Sequence, residues 1–327
     1  MKCRVCRGPA VVDVRRANAN FCPDHFLRFC RDQVDRAIGE FAMIAPGDRV
    51  LVAVSGGKDS LAVWDLLLEL GHDVEGFYVG LGIGDYSDVS GQHARRFAAS
   101  RGLVLHEVDL PEEYGFDIPE GSRAARRAPC SACGTSKRHL FDRAAIEGGF
   151  DVLVTGHNLD DEAAVLFGNV LHWQTDYLAR QAPVLPASNG FPRKVKPLVR
   201  LSERETAAYC IVKGIDYLVE ECPMSAGNKH IGYKDALNDI ELRSPGTKAD
   251  FYFGFLRRAA EQFRSGATGG DAAGLGRCDR CGSPSEAELC AFCRLVDRAT
   301  TDRHSRSVPP APVEIQLGTT RSNEDPR

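Results

Sequence analysis

The sequence predicts an α/β protein built on a doubly wound parallel sheet, with a small zinc-binding module at each end of the chain. Three observations predict it. Apolar runs of strand length alternate with amphipathic helical stretches through the middle of the chain, the pattern of a parallel sheet covered on both faces. The first such run, Val50-Leu51-Val52-Ala53-Val54, passes through Ser55-Gly56-Gly57 straight into a helical pattern. Cysteines recur at metal-ligand spacing near both ends.

At 327 residues the chain can hold one core domain and smaller modules. With 26% charged and 43% hydrophobic residues it is neither a disordered nor a membrane composition. A net charge of −4 excludes a global basic field, so any nucleic-acid site must be a local patch. No apolar run reaches membrane-spanning length, and Met1-Lys2-Cys3-Arg4-Val5-Cys6 lacks the apolar core of a signal peptide. A cytoplasmic protein off the membrane is expected. Twelve cysteines in that compartment argue for metal rather than disulfides.

Cys3-x-x-Cys6, followed by Cys22-Pro-Asp-His25, reads as a four-ligand zinc site closing a module over residues 1–28. Cys30 lies outside the pattern and suits a buried small apolar position. Phe26 to Phe41 has the periodicity of an amphipathic helix leading into the central domain, residues 29–264.

The run from Val50 to Val54 is too apolar for a half-exposed strand and suits the centre of a parallel sheet. Two glycines follow where the backbone must turn tightly and approach a ligand. Asp59 and Ser60 then open a helix running to Leu70. Strand, glycine turn and helix N-terminus together make an anion site, and phosphate is its natural occupant. A Walker A loop is excluded because position 52 is Val and Lys58 is followed by Asp59, and no G-x-G-x-x-G opens this helix.

Val74 to Val79 is a second strand and Gly80 to Asp85 a loop at the carboxyl edge, where doubly wound sheets bind ligands. Ser90 to Arg101 is helical and Leu103 to Val108 a third strand. Cys130-Ser-Ala-Cys133 then opens a helix that runs to about Glu147. Such a pair is a redox couple, half a metal site or a catalytic thiol, and the helix dipole favours thiolate in each case. Lys137 follows one turn later. Asp151 to Gly156 is a fourth strand leading into His157-Asn158-Leu159-Asp160-Asp161-Glu162. Those acids could hold Mg²⁺ bridging nucleotide phosphates, or cap the next helix.

Residues 173–201 carry four prolines and cannot form a long helix; Arg193, Lys194, Lys196 and Arg200 cluster there, either as a solvated loop or as a functional basic patch. Helix Ser202 to Lys213, with Cys210 on its apolar face, and strand Ile215 to Val219 are expected to close the sheet. Cys222 follows that strand, so Cys130, Cys133 and Cys222 could converge at one edge. Amphipathic helices follow over Tyr233–Arg243 and Ala249–Arg264. Residues 265–277 are a Gly/Ala-rich linker. Cys278-x-x-Cys281 and Cys290-x-x-Cys293 form a second zinc ribbon over residues 278–298, and a Pro-, Ser- and charge-rich tail, 299–327, is expected to be disordered.

The Ser55-Gly-Gly-Lys-Asp-Ser60 string resembles the pyrophosphate loop of the N-type ATP pyrophosphatases, the PP-loop superfamily with its Rossmann-like sheet. Together with the two zinc modules and the cysteine trio, nearly the whole chain resembles the tRNA 2-thiolation enzymes, most closely the group acting on 5-methyluridine 54. The resemblance implies ATP bound by Ala53, Ser55, Gly56, Gly57, Lys58, Asp59, Ser60, Val79, Gly156 and Asp161. It implies a [4Fe–4S] cluster on Cys130, Cys133 and Cys222, and Lys137, Asp161 and Asp59 at the reaction centre. Its partners would be tRNA, a ubiquitin-like sulfur carrier with a C-terminal thiocarboxylate, and a second copy of the chain. Alternatives remain open at this point: wobble-uridine 34 thiolation, a persulfide and disulfide pair in place of the cluster, an adenylating ligase, or a zinc-ribbon RNA-binding protein without catalysis.

Overall fold

A computed structural model describes residues 1–225, 229–266 and 275–301. The tail from residue 302 and most of the expected linker lie outside the described residues. The chain opens with β1 (Val12–Val14) and β2 (Ala19–Phe21), paired antiparallel, before α1 (Pro23–Glu40). The central domain follows with β3 (Val50–Val54), α2 (Lys58–Glu69), β4 (Val74–Gly80), α3 (Gly84–Arg101) and β5 (Leu105–Asp109). Next come α4 (Leu110–Tyr114), α5 (Ile118–Ala124), α6 (Pro129–Glu147), β6 (Val152–Val154), α7 (Leu159–Leu171), α8 (Thr175–Ala179), β7 (Val184–Leu185) and β8 (Arg193–Val195). Four further helices, α9 (Glu203–Lys213), α10 (Lys229–Arg243), α11 (Thr247–Arg258) and α12 (Ala260–Gly266), precede the ribbon of β9 (Gly276–Arg277), β10 (Pro284–Ser285) and α13 (Ala291–Thr301).

Among the described residues six strands form one sheet in the order β5-β4-β3-β6-β8-β7, parallel except for the β7 edge. Every residue of β3 is buried, as its unbroken apolar run requires. Val50, Val52 and Val54 face one core with α1, α2, α7 and α9; Leu51 and Ala53 face a second core with α6 and α13. That alternation, period two along one strand, is what divides the helices between two faces.

Several expectations are corrected. Ile215 to Val219 is not a strand of the sheet: among the described residues its only ladder contact is a single bridge, Gly57 to Leu218, with Leu218 N–H donating to Gly56 O at 3.0 Å. The place beside β6 belongs instead to β8, from the proline-rich stretch to which the sequence assigns no strand. Its basic residues are no free cluster. Lys194 pairs with Asp142 at 2.8 Å, Lys196 with Glu162 at 2.7 Å, Arg193 with Asp48 at 3.3 Å, and Arg200 with Glu40. The loop expected to run to Asp85 is shorter than read, since α3 begins at Gly84. Cys30 and Cys210 are fully buried, as expected of apolar positions.

The end modules are fastened to the domain by side chains. Arg16 of the N-terminal module grips both oxygens of Glu205 at 2.7 Å and donates to Arg200 O at 2.8 Å. Phe292 of α13 stacks on His139 of α6 at 4.4 Å and meets Tyr114 edge-on at 5.0 Å.

Candidate active site

The phosphate loop leaves β3 and enters α2 under tight steric rules. Gly56 holds φ +73°, a left-handed conformation, and a Cβ there would lie 2.1 Å from the carbonyl oxygen of Ser90. Only glycine fits both constraints. The Ser60 hydroxyl accepts from Ser55 N–H at 3.1 Å and donates to Gly57 O at 2.9 Å, so the loop is knitted to the helix it opens. Gly156, at the end of β6, rests against the first turn of α2, where a Cβ would lie 2.9 Å from Asp59 C and Ser60 N. Ser55 is exposed at the mouth, while Ala53 and Val79 are buried in the adjoining strands.

Charge alternates outward from this loop. Asp59 accepts from Thr206 Oγ1 at 2.5 Å and Asn158 Nδ2 at 3.1 Å, and pairs with Lys58 at 3.1 Å. Burial pushes its carboxyl up, against the pull of Lys58. Lys58 also reaches Glu203 at 2.8 Å, Glu203 reaches Lys234 at 3.0 Å, and Lys234 reaches Asp161 at 2.6 Å. Neither Glu203 nor Lys234 was a sequence-predicted site residue; Lys234 showed only as one of many basic residues on a C-terminal helix. Burial raises the Glu203 carboxyl, but Lys58 and Lys234 outweigh it and hold it at about 2, below the ordinary 4.5. A depressed carboxyl stabilises the fold above its unfolded value and loses that contribution as pH falls toward its folded one. The melting temperature of Glu203→Gln is therefore expected to fall less steeply than wild type between about pH 4.5 and 2, as thermal scans would show.

Of the three acids after β6, two are turned inward. Asp160 is buried against Lys248 at 2.5 Å and accepts from Glu203 N–H at 3.0 Å. Glu162 is buried with Lys196, Gln181 and Tyr252. Asp161 closes a capping box with Asn158 at the start of α7, yet keeps a side chain 25% exposed beside Lys234. It is therefore the one acid of the three that remains open to a ligand.

The cysteine trio meets on the other side of the rim. Cys130 and Cys133 sit in the first turn of α6, and the single turn after Cys222 packs there, with Cys130 Sγ 3.5 Å from Met224 O. Burial pushes the Cys133 thiol up; Lys137 opposes it, while Cys222 and Cys130 add to it. The dipole expectation is thus outweighed by desolvation at Cys133. Tyr86 of α3 is pushed up to about 12 by burial and by the neighbouring Cys222, which ties the trio to the helix that also touches Gly56. Three thiols brought together, with Cys130 exposed and the others half-buried, fit a cluster open on one side. Convergence comes through the Leu218–Gly57 bridge, which carries residues 215–222 past the phosphate loop, and not through a fifth strand.

Two further donor sets could each hold one metal ion: Cys3, Cys6, Cys22 and His25, and Cys278, Cys281, Cys290 and Cys293. The Cys6–Cys22 and Cys281–Cys290 sulfurs lie 3.8 Å apart. That matches the edge of a tetrahedron with metal–sulfur bonds of about 2.3 Å.

A family model described as a PP-loop domain matches residues 30–226, and one described as the N-terminal LIM domain of 2-thiouridine synthetase TtuA matches residues 2–27. Over 316 residues the chain is 47% identical to tRNA-5-methyluridine(54) 2-sulfurtransferase of Thermus thermophilus, covering 97% of each protein. A Pyrococcus horikoshii protein of the same name is 39% identical over 295 residues, 90% of this chain and 93% of the relative. The solved structure of U34-tRNA thiolase NcsA from Methanococcus maripaludis, with its [4Fe-4S] cluster, superposes with a TM-score of 0.76 at 26% identity, covering 90% of this chain and 95% of that one. No described helix is long and apolar enough to cross a membrane. Matched end to end by these relatives, the chain belongs to the PP-loop family, in the group of the tRNA-5-methyluridine(54) 2-sulfurtransferases.

Proposed function

We propose that this chain thiolates tRNA: it adenylates the C2 oxygen of a uridine, 5-methyluridine 54 of the T loop, and replaces that oxygen with sulfur. The observation that carries the reading is the shared rim, where Ser55–Ser60 and Cys130, Cys133 and Cys222 open at one edge of the same sheet. A uracil oxygen is a poor leaving group, and its adenylation turns it into a good one. The amides of Gly56 and Gly57 and the N-terminus of α2 bind the pyrophosphate end of ATP. Asp161, with Asp59 behind it, offers carboxylate oxygens suited to Mg²⁺. Lys58 and Lys234, already held at this carboxylate ladder, neutralise charge that develops on the phosphates.

Cys130, Cys133 and Cys222 would hold a [4Fe–4S] cluster, as the name of the NcsA structure supports. With only three protein thiolates, such a group supplies one iron where incoming sulfur can sit. Lys137, on the same helix, places positive charge beside Cys133. The four-donor sets at the two ends suit structural Zn²⁺, closed and without a free position. Sulfur would arrive on the C-terminal thiocarboxylate of a ubiquitin-like carrier, and the working unit would be a homodimer.

Wobble thiolation is the second reading, favoured by the NcsA likeness; the higher identity to position-54 relatives ranks it lower. Nucleoside mass spectrometry of tRNA from a deletion strain separates them. Loss of 5-methyl-2-thiouridine with intact wobble 2-thiouridine is expected. The reverse pattern moves the substrate to position 34, and no loss of either sinks both readings.

A further inference from the structure

His157 occupies a place at this rim that no role above uses. β3 and β6 run in register up to Val52 beside Val154, and Ser55 and His157 each lie three residues beyond the end of that pairing. Gly156 is seated on the first turn of α2, which brings the following residue to the mouth of the phosphate loop. The His157 side chain is solvent-accessible there, although protein surrounds it. Lys196 beyond β8, Asp161 and Glu162 of α7, and Asp59 of α2 are the charged groups whose fields reach it. Its Nδ1 lies 2.8 Å from Thr155 Oγ1. The protein packed around it first, and Lys196 second, push its pKa below the ordinary 6.5.

We propose that His157 is a catalytic residue, the general base that takes the N3 proton of the target uridine as its O2 attacks the α-phosphorus of ATP. The assignment rests on the thiolation reading above. With Nδ1–H donating to the Thr155 hydroxyl, Nε2 is left with the lone pair. A neutral uracil oxygen is a weak nucleophile. Removing the N3 proton sends that electron pair into the N3–C2 bond and the carbonyl pair onto O2. The O2–phosphorus bond forms, the bond from the α-phosphorus to the leaving oxygen breaks, and pyrophosphate departs with its electron pair. The proton ends on Nε2, where the fields of Asp161, Glu162 and Asp59 favour the imidazolium against that of Lys196. Thr155 is the positioning residue that holds the ring in this tautomer.

The test uses tRNA-dependent pyrophosphate release by the whole enzyme, with uridine or 5-fluorouridine at the target position, since fluorine makes N3–H more acidic. On the uridine substrate His157→Gln is expected to lose roughly 10²–10⁴-fold, the usual worth of a general base. On the fluorinated substrate that loss should shrink by about tenfold or more, because a more acidic proton needs less help. ATP affinity should stay unchanged, which also reports an intact fold. Added imidazole should restore part of the rate to His157→Gly, and Thr155→Val should show a smaller loss of the same substrate-dependent kind. Full activity in His157→Gln overturns the assignment and leaves the thiolation reading standing. So does an equal loss on both substrates with weakened ATP binding, which would make His157 a phosphate ligand. No pyrophosphate release by the wild type on either tRNA overturns the thiolation reading and this assignment with it.

Discussion

Alanine at any one of Cys130, Cys133 or Cys222 is expected to abolish the iron–sulfur chromophore and lower thiolation by more than about 100-fold. Even partners that only orient a metal ligand are worth about 10–100-fold, and these residues would be the ligands themselves. The three are not equivalent by local setting: Cys130 is exposed, whereas Cys133 and Cys222 are half-buried. A cluster erases that difference, because each thiolate carries one iron and losing any leaves two ligands. Persulfide chemistry preserves it, since two cysteines suffice for the redox pair and the third variant would stay active. Iron and sulfide content and the visible spectrum, measured after anaerobic purification, decide between them. A single variant of the three that keeps both cluster and activity overturns the assignment. Cys30→Ala and Cys210→Ala, buried on the opposite face of the sheet, should alter stability and leave the chromophore intact.

The second large effect belongs to Gly56→Ala, which is expected to weaken ATP binding by more than about 100-fold and lower the melting temperature. Alanine at φ +73° costs about 1–3 kcal/mol in backbone strain. Its methyl group would also lie 2.1 Å from the Ser90 carbonyl oxygen, and such overpacking against backbone adds about 1–3 kcal/mol more. Relief requires α3 to withdraw from the loop, and that movement opens the cradle. A loss on the order of 10 °C follows for a domain of this size. Gly57→Ala is the stability comparator: its Cβ would meet only Ser55 Oγ at 3.6 Å, an ordinary contact. Near-wild-type melting is expected there. If Gly56→Ala binds ATP as the wild type does, the close approach of α3 is not what shapes the phosphate loop.

Much of the site was legible because its parts are local. A buried strand, two glycines and a helix start occupy eleven consecutive residues, Val50 to Ser60, and their physics needs no distant partner. Both four-donor sets are similarly legible, as pairs of ligands three apart. The carboxylate ladder was not. Glu203 opens one ordinary helix and Lys234 lies on another, far along the chain; only folding brings them between Lys58 and Asp161. His157 gave a sequence signal, adjacency to the acids after β6, but its bond to Thr155 and its exposure at the mouth did not.

By itself the sequence determined the parallel sheet, the phosphate loop and the two four-donor sets that could hold metal, because hydrophobic periodicity and ligand spacing act over a few residues. Tertiary structure alone decided which segments complete the sheet. Arg193–Val195 takes the place beside β6 because Asp142 waits there to neutralise its Lys194, and Glu162 the adjoining Lys196. Ile215–Val219, apolar enough to be read as a strand, is diverted over the phosphate loop by one bridge to Gly57. A strand of three residues is too short to display its own period, and a charged one is stable inside only when partners distant in sequence are already in position.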